Sequence, residues 1–262
     1  MDERLQRRLV EAGVDPTHIS NPAEAWQQLF ELFGLRATLI DRYDIEAAYR
    51  GMTPAEFSES DRQSMADEVL TARYPGIELI GSPSGDPVQV VAYDDGWPQV
   101  FASWRKRLSS VLGETAIAIE HIGSTALPGL AAKPVVDIQV AVPNVGAEKT
   151  YVAAIESLGV PLRSREPDRR YFRPTPGTPR VVQIHVCTAG SDWERIHLLF
   201  RDYLREHSSI RSQYAALKLE LADRYRNDRL AYNEAKTGFI LDAIQAAEEW
   251  SEQTGWTVKP NP

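Results

Sequence analysis

The stretch EHIGSTALPGLAAKPVVDIQV, Glu120 to Val140, decides how this chain is read. An apolar strand breaks at Gly123-Ser124, a loop rich in Gly and Ala follows, and a β-branched strand begins after Lys133-Pro134. Glycine at a strand end lets backbone N–H groups approach an anion closely, and the serine hydroxyl adds a donor. In the second strand, PVVDIQVAV, alternation puts Val136, Ile138 and Val140 on one face and Asp137 and Gln139 on the other. A carboxylate inside an apolar strand requires a metal ion, an arginine or solvent as its partner.

The flanking segments extend this unit. VQVVAY (88–93) reads as a short strand, and Trp97 to Leu112 as a helix with Phe101, Trp104, Leu108 and Leu112 on one side. TAIAIEHIG is a strand, and residues 148–158 form a helix ended by Gly159. RYFRPT and RVVQIHVCT read as two strands joined by the turn PGTP. From Ser191 to about Glu252 the chain is helical in three pieces. This order predicts an α+β or α/β domain with a mixed sheet and a helical tail.

Residues 1–83 differ. NPAEAWQQLFELFG places Trp26, Leu29, Phe30 and Phe33 on one helical face, and TPAEF from Thr53 forms a capping box. This predicts a small all-helical domain (1–83) ahead of the main domain (84–262), with GSPSGDP at 81–87 as linker. The net charge of −8 is concentrated there: residues 1–83 hold 8 Lys+Arg and 15 Asp+Glu. That acidity argues against broad nucleic-acid binding and leaves a protein partner open for the helical region. The single cysteine, Cys187, permits no internal disulfide, and no apolar run approaches the ~20 residues that span a bilayer. The amino terminus has no apolar signal core, so the expectation is a cytoplasmic protein.

Six arginines between Arg163 and Arg180 face only two acids, Glu166 and Asp168. Two readings stand: a solvated hairpin, or an anion-binding rim. In RRYFR, alternation sets Arg169, Tyr171 and Arg173 on one face. Tyr232 and Lys236 lie one helical turn apart, so Lys236 can reach a phosphate. On VVQIHV, Gln183 and His185 share a face; His185 can bind a metal, act as a base or contact phosphate, or be a structural histidine.

Gly-Ser followed about a dozen residues later by Asp resembles the nucleotidyltransferase superfamily, and within it the GrpB family. The residues that carry the resemblance are VAYDDGWPQVF (91–101), EHIGSTALPGLAAKPVVDIQVAV (120–142), RRYFR (169–173), QIHV (183–186), HLLFRDYLREH (197–207), YAALK (214–218) and AYNEAK (231–236). Some members of that family carry the domain beside a dephospho-CoA kinase domain; this chain has no Gly-x-x-x-x-Gly-Lys-Ser/Thr pattern. The resemblance implies a mixed sheet flanked by helices and a Mg²⁺-dependent nucleotidyl or related phosphoryl transfer from a nucleoside triphosphate to a small-molecule acceptor. On that reading Gly123 and Ser124 hold the triphosphate, Asp137 binds metal, and Lys133, Arg173 and Lys236 neutralise phosphate charge.

The departure from the superfamily pattern is Gln139, where a second carboxylate is expected. Two-metal transfer needs bridging carboxylates, and an amide oxygen is a much poorer Mg²⁺ ligand. Glu120, His121 and His185 are the residues that could join Asp137 around one metal, with only one of Glu120 and His121 on its face. The alternative is a non-catalytic nucleotide- or anion-binding module that kept the fold and lost the chemistry.

Overall fold

A computed structural model describes residues 78–80 and 87–258 apart from 176, together with 15–19 and isolated positions before residue 62. The helical readings of 21–34 and of 53–57 except Glu56, and the linker at 81–87 except its last residue, lie outside the described residues. The chain divides into two compact units, Met1–Pro75 with Asn233–Ala235, and Gly76–Tyr232 with Lys236–Pro262. The second carries the sheet and the candidate site described below.

Its sheet has six strands: β1 (Glu78–Leu79), β2 (Ala118–Ile122), β3 (Val136–Val142), β4 (Leu162–Arg165), β5 (Arg169–Phe172) and β6 (Val182–Thr188), in the order β1-β4-β5-β6-β3-β2. Only β3 and β6 run parallel; the other pairings are antiparallel. The two parallel strands sit side by side in the interior of the sheet and are the richest in Val and Ile, as burial on both faces requires. The fold is therefore α+β with a mixed sheet flanked by helices. The sheet already begins at Glu78, inside the stretch assigned from sequence to the helical region.

One sheet face packs on α1 (Trp97–Leu112) and α2 (Val152–Glu156). Trp97, Trp104, Leu108 and Leu112 meet Ile119, Ile138, Val140, Ile184, Val186 and Phe172 in the main core. α1 starts with Pro98 in its first turn, where no intrahelical N–H is lost, and stops at Gly113. The other face is covered by helices. α3 (Asp192–Glu206) is capped by Ser191, whose Oγ accepts from the Glu194 N–H, while Glu194 Oε2 accepts from the Gly190 N–H. α4 (Ser208–Arg224), α5 (Arg229–Ala235) and α6 (Thr237–Thr254) complete the tail. Leu127 and Leu130, from the loop after Gly123-Ser124, are buried with Leu199, Tyr203, Leu204, Tyr214 and Ala247 in a second core. That packing pins the loop to the helices and fixes where the Gly-Ser turn points.

Four details differ from the sequence reading. Residues 148–158 are not one helix but a 3₁₀ turn, Glu148–Thr150, followed after Tyr151 by the short α2. VQVVAY forms no strand; Val91 makes a single bridge to Ala132, because too few of its residues find a partner backbone. β4 was hidden in LRSR, too short and polar to show alternation, and it pairs with β5 to make the arginine-rich hairpin. The helical tail has four pieces rather than three, and among the described residues no helix is long and apolar enough to cross a membrane.

Candidate functional site

Asp137 stands on β3 on the face opposite the main core, with Gln183 and His185 beside it on β6. His185 Nε2 lies 3.5 Å from Asp137 Oδ1, and Arg169 Nη1 lies 3.4 Å from His185 Nδ1. Arginine can only donate, so Nδ1 accepts and Nε2–H points at the carboxylate. Burial lowers the pKa of His185, which favours this neutral form. The imidazole is held between the rings of Tyr171 and Trp193, at 5.2 and 5.6 Å between centroids. Oriented with its oxygen towards Arg180, the Gln183 amide accepts from Arg180 at 2.7 and 2.9 Å and donates to Asp137 Oδ1 at 3.2 Å. Asp137 is thus aimed by two strand neighbours, and its side chain keeps 28% of its surface exposed.

Gly123 explains its own presence. Its backbone sits at φ 67°, ψ −167°, and a Cβ there would fall 2.5 Å from Asp137 Oδ2. Only glycine can both adopt that conformation and let the turn close onto the carboxylate. Ser124 follows at the start of a short 3₁₀ turn, Ser124–Ala126, and the Tyr214 hydroxyl bonds to it.

Around this pair gather amines from three distant segments. The ammoniums of Lys133 and Lys236 lie 4.9 and 4.4 Å from the ring centroid of Tyr232, and that of Lys218 lies 4.6 Å from that of Tyr214. Burial, then Lys236 and Arg229 nearby, pull the Lys133 pKa well below its ordinary value, with Asp137 opposing. Burial lowers Lys236 to about 8, with Asp137 again opposing and Arg229 adding to the shift. Lys218 is 2% exposed, its Nζ has no hydrogen-bond partner, and burial with Lys236 lowers it to about 7. Among the described residues Asp137 is the carboxylate that acts on Lys133 and Lys236, and none acts on Lys218, so these amines carry a cationic excess there. Unpaired buried ammoniums are costly, and an anionic ligand removes that cost.

The remaining sequence expectations are placed as follows. Glu120 shares the Asp137 face through its pairing with Gln139, but its Oε2 accepts from Arg201 of α3 at 2.7 Å. It is committed to that guanidinium rather than turned to Asp137. His121 lies on the opposite face, stacked on Phe101 of α1 and bonded to Thr125 Oγ1 at 2.9 Å. Gln139 is 1% exposed and both its amide atoms lack a hydrogen-bond partner, so the position of the expected second carboxylate is sealed rather than open to the cleft. Arg173 is buried and lies close enough to act on Tyr171. Among the described residues no three His, Cys, Asp or Glu side chains come together as a metal site. Arg180 belongs to the arginine-rich stretch read above as a possible anion-binding rim, whereas Lys218 and Arg229 were not among the site residues expected from sequence. Lys218 lay within YAALK, one helical turn from Tyr214, the same spacing as Tyr232 and Lys236, and that repetition was the available signal.

Comparison with known proteins places this arrangement. The chain is 41% identical over 165 residues to the UPF0157 protein SCO7215 of Streptomyces coelicolor, covering 63% of this chain and 87% of that one. It is 30% identical over 270 residues to a dephospho-CoA kinase of Mycolicibacterium paratuberculosis, covering 85% of this chain and 66% of that one. The crystal structure of the conserved protein GrpB from Enterococcus faecalis superposes with a TM-score of 0.55 at 30% identity, over 62% of this chain and 99% of that one. The family model described as GrpB protein matches residues 87–246, well over half the chain, and this protein belongs to the GrpB family.

Proposed function

We propose that the Asp137 cleft binds the polyphosphate of a nucleoside triphosphate and serves nucleotidyl or phosphoryl transfer to a small-molecule acceptor. One observation carries this: the partly buried Lys133 and Lys236 and the buried, unpartnered Lys218 converge beside the Gly123-Ser124 turn, with Asp137 the carboxylate that acts on Lys133 and Lys236 among the described residues. A phosphate chain supplies the missing negative charge at several points at once. The similarity to a dephospho-CoA kinase agrees with a phosphate-handling role.

The donor set does not fit two magnesium ions held by protein carboxylates, since Gln139 is sealed and Glu120 is bound to Arg201. It does fit one Mg²⁺ shared between Asp137 and the nucleotide's own phosphates, the usual way Mg²⁺ is held at such sites. Such an ion would neutralise charge on the transferred group. The chain's own residues do the rest. The lysines bind and orient the phosphates, Gln183 and His185 hold Asp137 in place, and Tyr214 and Tyr232 shield the amines from water. His185 as placed presents a donor to Asp137, so it positions the carboxylate instead of taking a proton.

The second reading is binding without transfer, and the sealed Gln139 favours it. One substitution separates the two. ATP affinity is titrated with and without Mg²⁺ for the parent and Asp137→Asn. Transfer through a shared ion expects Mg²⁺-dependent binding that Asp137→Asn weakens. Metal-independent binding that tightens in Asp137→Asn, because a like charge leaves the phosphate site, overturns the transfer reading in favour of the binding module.

A further inference from the structure

A cavity of about 530 Å³ lies beside the turn that follows Gly123 and contains none of the three lysines in its lining. It sits at β2, the edge strand of the sheet, so both layers contribute to its walls. Thr125 and Ala126 of the turn form one wall. From the α1 side come Tyr93, Phe101 and His121, with the Phe101 and His121 rings stacked at 4.9 Å and 14°. Burial lowers His121 to about 4, so this flat wall is uncharged near neutral pH. From the other side come Arg201, Arg205 and Arg211.

The three guanidiniums are not equivalent. Arg201 is spent on protein partners: Asp202 at 2.7 and 3.3 Å, Glu120 at 2.7 Å and the His121 carbonyl at 3.1 Å. Arg205 donates to Asp202 at 3.1 Å and to the Ala126 carbonyl at 3.1 Å. Arg211 donates through Nη1 to the Leu204 and Arg205 carbonyls at 2.8 and 3.0 Å. Backbone carbonyls orient a guanidinium without neutralising it, and each has five N–H donors. Among the described residues two acids, Glu120 and Asp202, bond to these three arginines, and Asp94 and Asp95 lie near enough to act on Tyr93 of the same cavity. The Arg205 side chain keeps 39% of its surface exposed, so its remaining donors are open to a ligand.

We infer that this cavity is a second ligand site, for a small molecule joining a carboxylate or phosphate head to a flat apolar body. The head meets Arg205 and Arg211, whose planar forks match either anion. The body lies along the Phe101–His121 wall. The volume falls within the ordinary range for small-molecule sites, ~300–1,000 Å³. This binding stands independently of the proposed function.

The test titrates the full chain with phenyl phosphate and with benzoate, followed by calorimetry, with benzyl alcohol as the neutral ring and inorganic phosphate as the head alone. At least one ring-bearing anion binds more tightly than benzyl alcohol and inorganic phosphate, and the tighter of the two identifies the head group. Arg205→Gln with Arg211→Gln weakens that binding about tenfold or more, the loss of charge-assisted hydrogen bonds, and leaves ATP binding unchanged. Phe101→Leu weakens it less, through the body alone. If the double variant melts without cooperativity, Arg211→Gln alone serves, being half-buried and on the surface of α4. Absence of binding by either ring-bearing anion at millimolar concentration overturns the inference. So does equal binding of benzyl alcohol, or equal binding by the folded double variant. Loss of ATP binding in the parent, with the ring-bearing anions still bound, would instead remove the proposed function and leave this site standing.

Discussion

Gly123→Ala is the most exposing perturbation of this fold, because its consequences divide into two parts that can be measured separately. The backbone at φ 67°, ψ −167° lies in a region that L side chains rarely adopt, which costs about 1–3 kcal/mol. The new methyl would also sit 2.5 Å from Asp137 Oδ2 and 3.1 Å from its Cγ and Cβ, so the carboxylate must turn away. Forcing extra volume into a packed position costs about 1–3 kcal/mol more. Because Asp137 is partly exposed it can yield, and the expected total is about 2–4 kcal/mol. Urea unfolding of Gly123→Ala, Asp137→Ala and the double variant separates the terms. In the double variant Oδ2 and Cγ are gone, so the collision part is largely recovered while the backbone part stays. The coupling between the two sites should therefore be favourable and about 1 kcal/mol or more. ATP affinity should drop in Gly123→Ala even at a temperature where it is fully folded, because the aim of Asp137 is lost. A cost below about 0.5 kcal/mol, or strict additivity in the double variant, would refute the close approach of turn and carboxylate.

Further outcomes follow from the lysine cluster. Lys218→Met removes a buried ammonium without a hydrogen-bond partner, so it should stabilise the unliganded protein in thermal melts while weakening ATP binding. A variant that loses stability and binds ATP as before would show that Lys218 is not part of the phosphate site. Because burial lowers Lys218 to about 7 from an ordinary 10.5, the folded state binds fewer protons than the unfolded one between those values. Its contribution to stability should therefore rise with pH from about 7 towards 10.5, and this rise should be missing from the Lys218→Met profile. Ligand binding has the opposite sign: phosphate favours the charged amines, so ATP affinity should fall as pH passes about 7 and then about 8, the Lys236 value. Calorimetry in two buffers of different ionisation enthalpy should register proton uptake on binding at pH 8; none would exclude the lysines.

What the sequence determined by itself was local. Alternation in PVVDIQVAV separated Asp137 and Gln139 from the core face, and the coordinates place Ile138 and Val140 in the main core with Asp137 opposite. Spacing set the buried face of α1 through Trp104, Leu108 and Leu112. These features are legible because burial of one face imposes a period on the chain, and a period needs only a few neighbouring residues to appear. The ordered motifs of the GrpB resemblance likewise lie in the sequence itself.

What only the tertiary structure decided was partnership across long separations. Glu120 and Arg201 are 81 positions apart, and nothing near Glu120 announces that a helix will bring a guanidinium to it and remove it from the candidate metal ligands. Gln139 resembled an exposed amide beside Asp137, yet its place between Glu120 on β2 and His185 on β6 buries it completely. Lys133, Lys218 and Lys236 come from a loop, a helix and the turn between two helices; the sequence singled out Lys133 and Lys236 but not Lys218. Their convergence, and the burial of Lys218, arise only in the packed fold, because desolvation and mutual repulsion depend on position in space, and the Tyr–Lys spacing marks a helical face without saying what that face meets.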